Sequence, residues 1–214
     1  ETLQSFGGTI SNREVKGKGE VPYEANISLY DALKGTIAQG ADNLQRERFI
    51  CAHTILLALE GIPAFYIHSL LATENATEWM KDTGHARSIN RYRWDQKALN
   101  QTLSNGDLHH AAVFEALKER IKIRKEQAAF HPNATQLTLH LGDQIFAFWR
   151  ESLDRHQSIF ALHNVSDQAV SVSLHELNLI STDNWRDLLS GENFTDVKAD
   201  IELPPYGCMW ISNA

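Results

Sequence analysis

From residue 131 onward the apolar positions fall two apart. Leu137, Leu139 and Leu141, then Ile145, Ala147 and Trp149, then Ile159, Ala161 and His163, then Val170, Val172 and Leu174 alternate with their neighbours. A period of two places each set on one face of a pleated strand. Gly142-Asp143, Asn164-Val165-Ser166-Asp167 and Ser190-Gly191-Glu192-Asn193 punctuate the runs as turns. Pro204-Pro205-Tyr206-Gly207 leads into a closing strand, Cys208-Met209-Trp210-Ile211. The pattern predicts an antiparallel β domain over residues 131–214, opened by His131-Pro132-Asn133.

Before residue 131 the period lengthens. Residues 42–60 predict a helix, with Asp42 and Gln45 spaced as a capping box and Gly61 and Pro63 as the stop. Phe49, Ile50, Ala52, Ile55, Leu56, Leu57 and Leu59 cover nearly every side of it, so it is largely buried. The unalternating run Ile62-Pro63-Ala64-Phe65-Tyr66-Ile67 predicts a strand covered on both faces, as in a parallel sheet. Residues 69–107 form a long polar excursion. Residues 108–127 predict a second helix, with Val113, Leu117, Ile121 and Arg124 on one face. The fold class is therefore α/β plus β. The first 25 residues show no sustained period and read as a functional loop or linker. Residues 27–33 fit a strand or one helical turn.

Composition narrows the function classes. The chain has 214 residues, 43% of them hydrophobic and 22% charged, which is globular composition. Its net charge is −7, with no basic stripe, which argues against a nucleic-acid partner. The charge-free stretches 49–59 and 61–73 are too short to span a bilayer, and no membrane partner is expected. Cys51 and Cys208 lie in apolar surroundings without a CxxC, and read as buried thiols of a reducing, cytoplasmic compartment.

Several motifs invite chemistry. Lys16-Gly17-Lys18-Gly19 lacks the P-loop pattern and reads as a solvated loop. Ten histidines include no HExxH, and adjacent His109 and His110 should not share a helix face, so neither a metal nor any other cofactor is expected. Six Asn-x-Ser/Thr sequons, including those at Asn26, Asn75 and Asn164, have no supporting signal peptide. Arg87-Ser88-Ile89-Asn90-Arg91 is the most informative polar cluster. An Arg there can grip vicinal sugar hydroxyls, or hold an acidic loop neighbour, and the pattern leaves both open. Trp79, Trp94 and Tyr92 fit either a sugar platform or loop core.

Three stretches carry a resemblance. Residues 21–33 (VPYEANISLYDAL) resemble the loop after the seventh barrel strand in the sucrose phosphorylase subfamily of glycoside hydrolase family 13, the α-amylase superfamily. Gly61-Ile62-Pro63-Ala64-Phe65-Tyr66-Ile67 resembles that family's eighth strand, and Ala86-Arg87-Ser88-Ile89-Asn90-Arg91 its following segment. Pro204-Pro205-Tyr206-Gly207 with Met209-Trp210 is similar to the last strand of its C-terminal β domain. The family's sucrose enzymes carry Tyr-Gln where this chain has Tyr23-Glu24, and Tyr-Glu looks closer to the glucosylglycerate and sugar-phosphate phosphorylase branches.

The resemblance implies the last part of a (β/α)8 TIM barrel over residues 1–130 (loop after strand 7, helix 7, strand 8, helix 8) and the C-terminal antiparallel β domain over 131–214. It implies double-displacement transfer of an α-glucosyl unit to phosphate, giving α-glucose 1-phosphate, a route that needs two carboxylates. No position here matches the family's nucleophilic Asp or acid/base Glu, so no catalytic residue is assigned and the chain alone is expected to be inactive. Arg87 and Asn90 are the expected glucose contacts, and Tyr23 and Glu24 the expected acceptor-side residues. A carboxylate facing phosphate repels it, which leaves Glu24 for acceptor hydroxyls or a nearby Arg. The expected partners are a small α-glucoside, phosphate, the remaining barrel and a second copy as a homodimer. The competing readings are an amylase-like α-glucoside hydrolase and a non-catalytic carbohydrate-binding module presenting Trp149, Trp185 or Trp210.

Overall fold

The computed structural model describes residues 1–177, 179–180 and 184–213. They divide into two compact units, Glu1–Phe49 with Phe65–Glu115, and Ile50–Ala64 with the chain from Ala116 onward. The sequence pattern sets its boundary at 130/131, whereas compactness draws 50–64 and 116–130 in with the sheet.

The first unit begins with the short helix α1 (Thr2–Ser5) and an antiparallel hairpin, β1 (Thr9–Val15) and β2 (Gly19–Asn26). The expected lead-in without regular structure is thus a hairpin. Its strands are exposed along most of both faces, so no apolar alternation marks them. Lys16-Gly17-Lys18 is its turn: the Lys18 N–H donates to Val15 O at 2.9 Å, and Gly17 supplies a φ of +80°. Residues 27–33 resolve as a helical turn, α2 (Leu29–Ala32), whose N-cap Ser28 Oγ accepts from the Asp31 N–H at 3.1 Å. Two-residue strands β3 (Gly35–Thr36) and β4 (Gly40–Ala41) follow.

Helix α3 is Gln45–Ala58. Asp42 Oδ1 accepts from the Leu44 N–H at 2.9 Å, but Gln45 donates to Tyr30 O instead of closing a capping box. The polar excursion folds as successive short helices, α4 (Ile67–Leu70), α5 (Thr77–Thr83), a 3-10 turn (Ala86–Asn90) and α6 (Gln96–Ser104), before α7 (His109–Lys125).

The expected buried strand at Ile62–Ile67 is absent. Residues 62–66 carry no regular element, Ile62 is 83% exposed and Ile67 54%. A parallel strand must pair its N–H and C=O groups with neighbours on both sides. Every strand pair among the described residues is antiparallel, and none borders this segment. No closed or parallel barrel sheet is therefore formed by the described residues. No helix among them is long and apolar enough to cross a membrane.

The second unit bears out the period-two reading. Strands β5 (Thr135–His140), β6 (Ile145–Glu151), β7 (Ser158–Asn164), β8 (Val170–Ser173), β9 (Trp185–Asp187), β10 (Asn193–Phe194), β11 (Asp200–Leu203) and β12 (Cys208–Asn213) build a six-stranded sheet, β10-β9-β12-β7-β6-β5, with β8 and β11 paired separately. One face packs Ile145, Ala147, Phe160, Leu162 and Ile211 against Val172, Leu174 and Leu203. The other carries Phe148, His163 and Trp210, and the Trp210 indole meets Phe130 edge-on at 4.8 Å. Trp210 is fully buried, Trp185 is 3% exposed and Trp149 is half-buried, so the expected exposed tryptophan platform does not exist.

Two arginines knit this unit together. Arg150, 0% exposed, donates to Ala58 O at 2.7 Å, His131 O at 2.9 Å and Thr135 O at 3.2 Å. Arg124 donates to Leu57 O and Gly61 O. Both guanidiniums face the Phe130 ring, at 5.4 and 5.9 Å. The acceptors at Leu57 and Ala58 are among the last carbonyls of α3, which lack partners within the helix and mark its negative end. Burial, and then repulsion from Arg124, pull Arg150 down to about 10, which leaves it charged at neutral pH. Arg150→Met strands the buried Ala58 carbonyl and removes the bonds to His131 O and Thr135 O, and should destabilise the second unit by about 3 kcal/mol, read as a lower urea midpoint. Arg150→Lys should recover only part of this loss, because an ammonium lacks the guanidinium fork.

His163 is buried in the middle strand. Its Nδ1 donates to Phe146 O at 2.9 Å, and its Nε2 has no partner among the described residues. Protonation would bury a second N–H without an acceptor, and desolvation holds its pKa down to about 4. The unfolded chain takes up this proton near pH 6.5 and the folded chain only near 4, so stability falls as pH drops through that window. The expected loss from this group is about 3 kcal/mol by pH 4. His163→Gln should flatten that part of the stability–pH curve in acid unfolding titrations.

Candidate functional site

The first unit positions its polar cluster through buried anchors. Asn75 Oδ1 accepts from the Ser28 N–H at 2.7 Å, the Asn75 N–H donates to Asp31 Oδ2 at 2.7 Å, and its Nδ2 donates to Phe6 O at 3.2 Å. These bonds fix the end of β2 beside the segment entering α5. The 3-10 turn is pinned in its turn: the Ala76 N–H donates to Ile89 O at 2.7 Å, and Thr83 Oγ1 to Ser88 Oγ at 2.8 Å. Ser88 and Ile89 point inward and are buried. Arg87 and Arg91 are left on the outer side, at a cavity of about 400 Å³.

Glu24, Asn26, Tyr66, Arg87, Asn90 and Arg91 line that cavity. Arg87 Nε stands 2.9 Å from both carboxylate oxygens of Glu24. The hydrogen bond that Arg87 donates to Glu24, and then the Glu24 charge, raise the Arg87 pKa above its ordinary value. The Arg87 side chain is 57% exposed and that of Glu24 32%, so water and salt screen the pair. Of the two readings of Arg87, the structure shows the one in which it holds an acidic neighbour, Glu24, and places that pair at the wall of a cavity. Asn90 also lines the cavity, and its carbonyl accepts from the Tyr66 hydroxyl at 3.0 Å.

Tyr23 does not line the cavity. The β1–β2 register passes from Ser11↔Glu24 to Asn12↔Pro22, leaving Tyr23 as the unpaired residue of a bulge. Its ring lies under the Arg13 guanidinium, 5.0 Å away. The excursion's aromatics are engaged locally. Arg93 lies over Trp79 at 4.5 Å, and Trp94 Nε1 donates to Thr73 Oγ1 at 3.0 Å. Sequence reasoning missed Tyr66 as a wall residue, because it sat inside the run read as a buried strand. Asn26 and Asn164, both sequon positions, are buried and hydrogen-bonded.

Among the described residues lining the cavity, Glu24 is the one carboxylate. Retaining glycoside cleavage needs two, roughly 5 Å apart. The described lining residues therefore do not include a bond-breaking pair of carboxylates. Its hydroxyl, amide and guanidinium groups suit a polyhydroxylated or anionic ligand.

Residues 132–210 match the family described as maltogenic amylase, C-terminal domain. Glucosylglycerate phosphorylase of Allomeiothermus silvanus is 32% identical over 205 residues, covering 96% of this chain and 34% of that protein. The chain is thus similar to glucosylglycerate and sucrose phosphorylases. Sucrose phosphorylase of Bifidobacterium adolescentis is 26% identical over 130 residues, 61% of this chain and 21% of that protein. The chain spans about a third of the length of the curated glucosylglycerate phosphorylases it matches. Its fold is shared with an α-amylase of Geobacillus thermoleovorans, at a TM-score of 0.59 and 17% identity over 78% of this chain and 33% of that one.

Asn75→Ala should free the end of β2 from its anchor. Removing buried hydrogen bonds of this kind costs about 1–3 kcal/mol, so amide exchange across residues 26–31 should speed up roughly tenfold or more.

Proposed function

We propose that this chain is part of a retaining α-glucosyl phosphorylase that moves glucose from an α-glucoside such as glucosylglycerate to phosphate. The observation that carries this reading is the similarity to glucosylglycerate phosphorylase along nearly the whole chain. The cavity supports it. Two guanidiniums, Arg87 and Arg91, against one carboxylate, Glu24, leave its wall net positive. A positive wall suits a phosphate, and equally a glycerate carboxylate.

In this reading Arg87 and Asn90 hold the glucose ring, and Glu24 neutralises Arg87 until sugar hydroxyls replace it. Glu24, on the hairpin, faces the acceptor side, while Tyr23, off the cavity wall, is given no ligand contact. An Asp from the rest of the parent protein attacks the anomeric carbon while a Glu protonates the departing oxygen, and phosphate oxygen then displaces the Asp with net retention. Residues 62–67 find their missing neighbours as the eighth strand of a (β/α)8 barrel completed by the parent protein. This accounts for the exposed Ile62 and Ile67.

The test uses the parent protein with glucosylglycerate, with and without phosphate. α-Glucose 1-phosphate should form only when phosphate is supplied. Free glucose released at the same rate without phosphate would instead make the protein an amylase-like hydrolase. Arg87→Ala in the parent should lower kcat/KM by about 10²-fold or more, as expected for loss of a substrate-orienting contact. The 214-residue chain by itself should give no turnover.

A further inference from the structure

Away from the cavity, the first unit brings together three metal-ligating side chains, Glu74, His109 and His110. One donor atom from each lies within 4.8 Å of the others. Neighbouring residues on a helix ordinarily diverge, which is why the sequence raised no such expectation. Here both rings sit at the start of α7 and turn toward one chain reversal, with centroids 3.8 Å apart. His109 Nε2 lies 3.3 Å from Ala72 O, and His110 Nδ1 2.8 Å from Leu71 O.

A carbonyl only accepts, so each of these nitrogens carries the proton, and the second nitrogen of each neutral ring keeps its lone pair. Imidazole ligands are characteristically oriented in this way, with one nitrogen on a backbone carbonyl and the other on the metal. The orientation is reinforced from outside. Tyr30 stacks on His109 at 4.6 Å, and Trp94 meets His110 edge-on at 5.2 Å. Ala72 is fully buried at a φ of +46°, a left-handed conformation that fixes the carbonyl His109 uses.

We propose that Glu74, His109 and His110 bind one divalent transition-metal cation of the zinc class, tying the segment after α4 to the start of α7. Two imidazoles and a carboxylate are a donor set that zinc and cobalt accept, with further positions for water. Donors around a tetrahedral cation stand roughly 3.4 Å apart, so the exposed Glu74 closes inward while the two rings stay in place. The proposal does not rest on the phosphorylase reading.

Titrating the full chain with cobalt(II), followed by visible absorption, and with zinc(II), followed by calorimetry, tests it. One cobalt per chain should bind with the intense absorption of a four- or five-coordinate ion. Glu74→Gln, an exposed change that leaves the fold alone, and His110→Ala should each weaken binding by at least about tenfold. His140→Ala, which alters an exposed histidine elsewhere, should not. Absence of stoichiometric binding to the wild-type chain, or equal affinity in Glu74→Gln and His110→Ala, overturns the proposal.

Discussion

Two buried positive charges organise the second unit. The guanidiniums of Arg124 and Arg150 are met by the carbonyls of residues 57, 58, 61, 131 and 135 and by the face of Phe130. Taking a guanidinium out of water costs several kcal/mol unless its donors are satisfied. The carbonyls that satisfy these two are largely ones that would otherwise be unpaired at the end of α3 and in the loop leading to β5. The helix end, the loop and the sheet therefore need one another. Gly61, at φ +86°, lets the chain turn there, and its own N–H donates to Pro132 O at 3.1 Å.

In the first unit short polar anchors do the corresponding work. Asn75 and Asp31 tie the end of the hairpin to the excursion, and Ser88 and Ile89 root the 3-10 turn. The polar wall of Arg87, Glu24 and Arg91 is thus carried on segments whose inner sides are fixed. The ion pair at its centre is exposed and screened, so it contributes little to the stability of the unit. The chemistry that would follow binding needs two carboxylates, and the wall has one.

The β-domain strands were legible because each buries one face against an apolar neighbour, and that constraint writes itself into alternate residues. The hairpin escaped notice because neither face is buried, so nothing selects an alternation at Thr9–Val15 or Gly19–Asn26. The run at 62–67 misled for the opposite reason: its apolar residues suit a parallel sheet, but composition cannot supply the neighbours that make an extended segment a strand. Arg87 was legible as a candidate from its cluster and its family resemblance, whereas its engagement with Glu24, 63 residues away, was not.

By itself the sequence determined the two long helices, the strands β5, β6, β7, β8 and β12 and the resemblance to phosphorylases, since periodicity, stop signals and motifs are local. Only the tertiary structure decided which polar groups meet. It put Tyr23 in a bulge and off the cavity wall, buried Trp210 where an exposed platform was expected, and turned His109 and His110 together toward two carbonyls. Each of these depends on where a distant backbone atom lies, and spacing along the chain carries no such information.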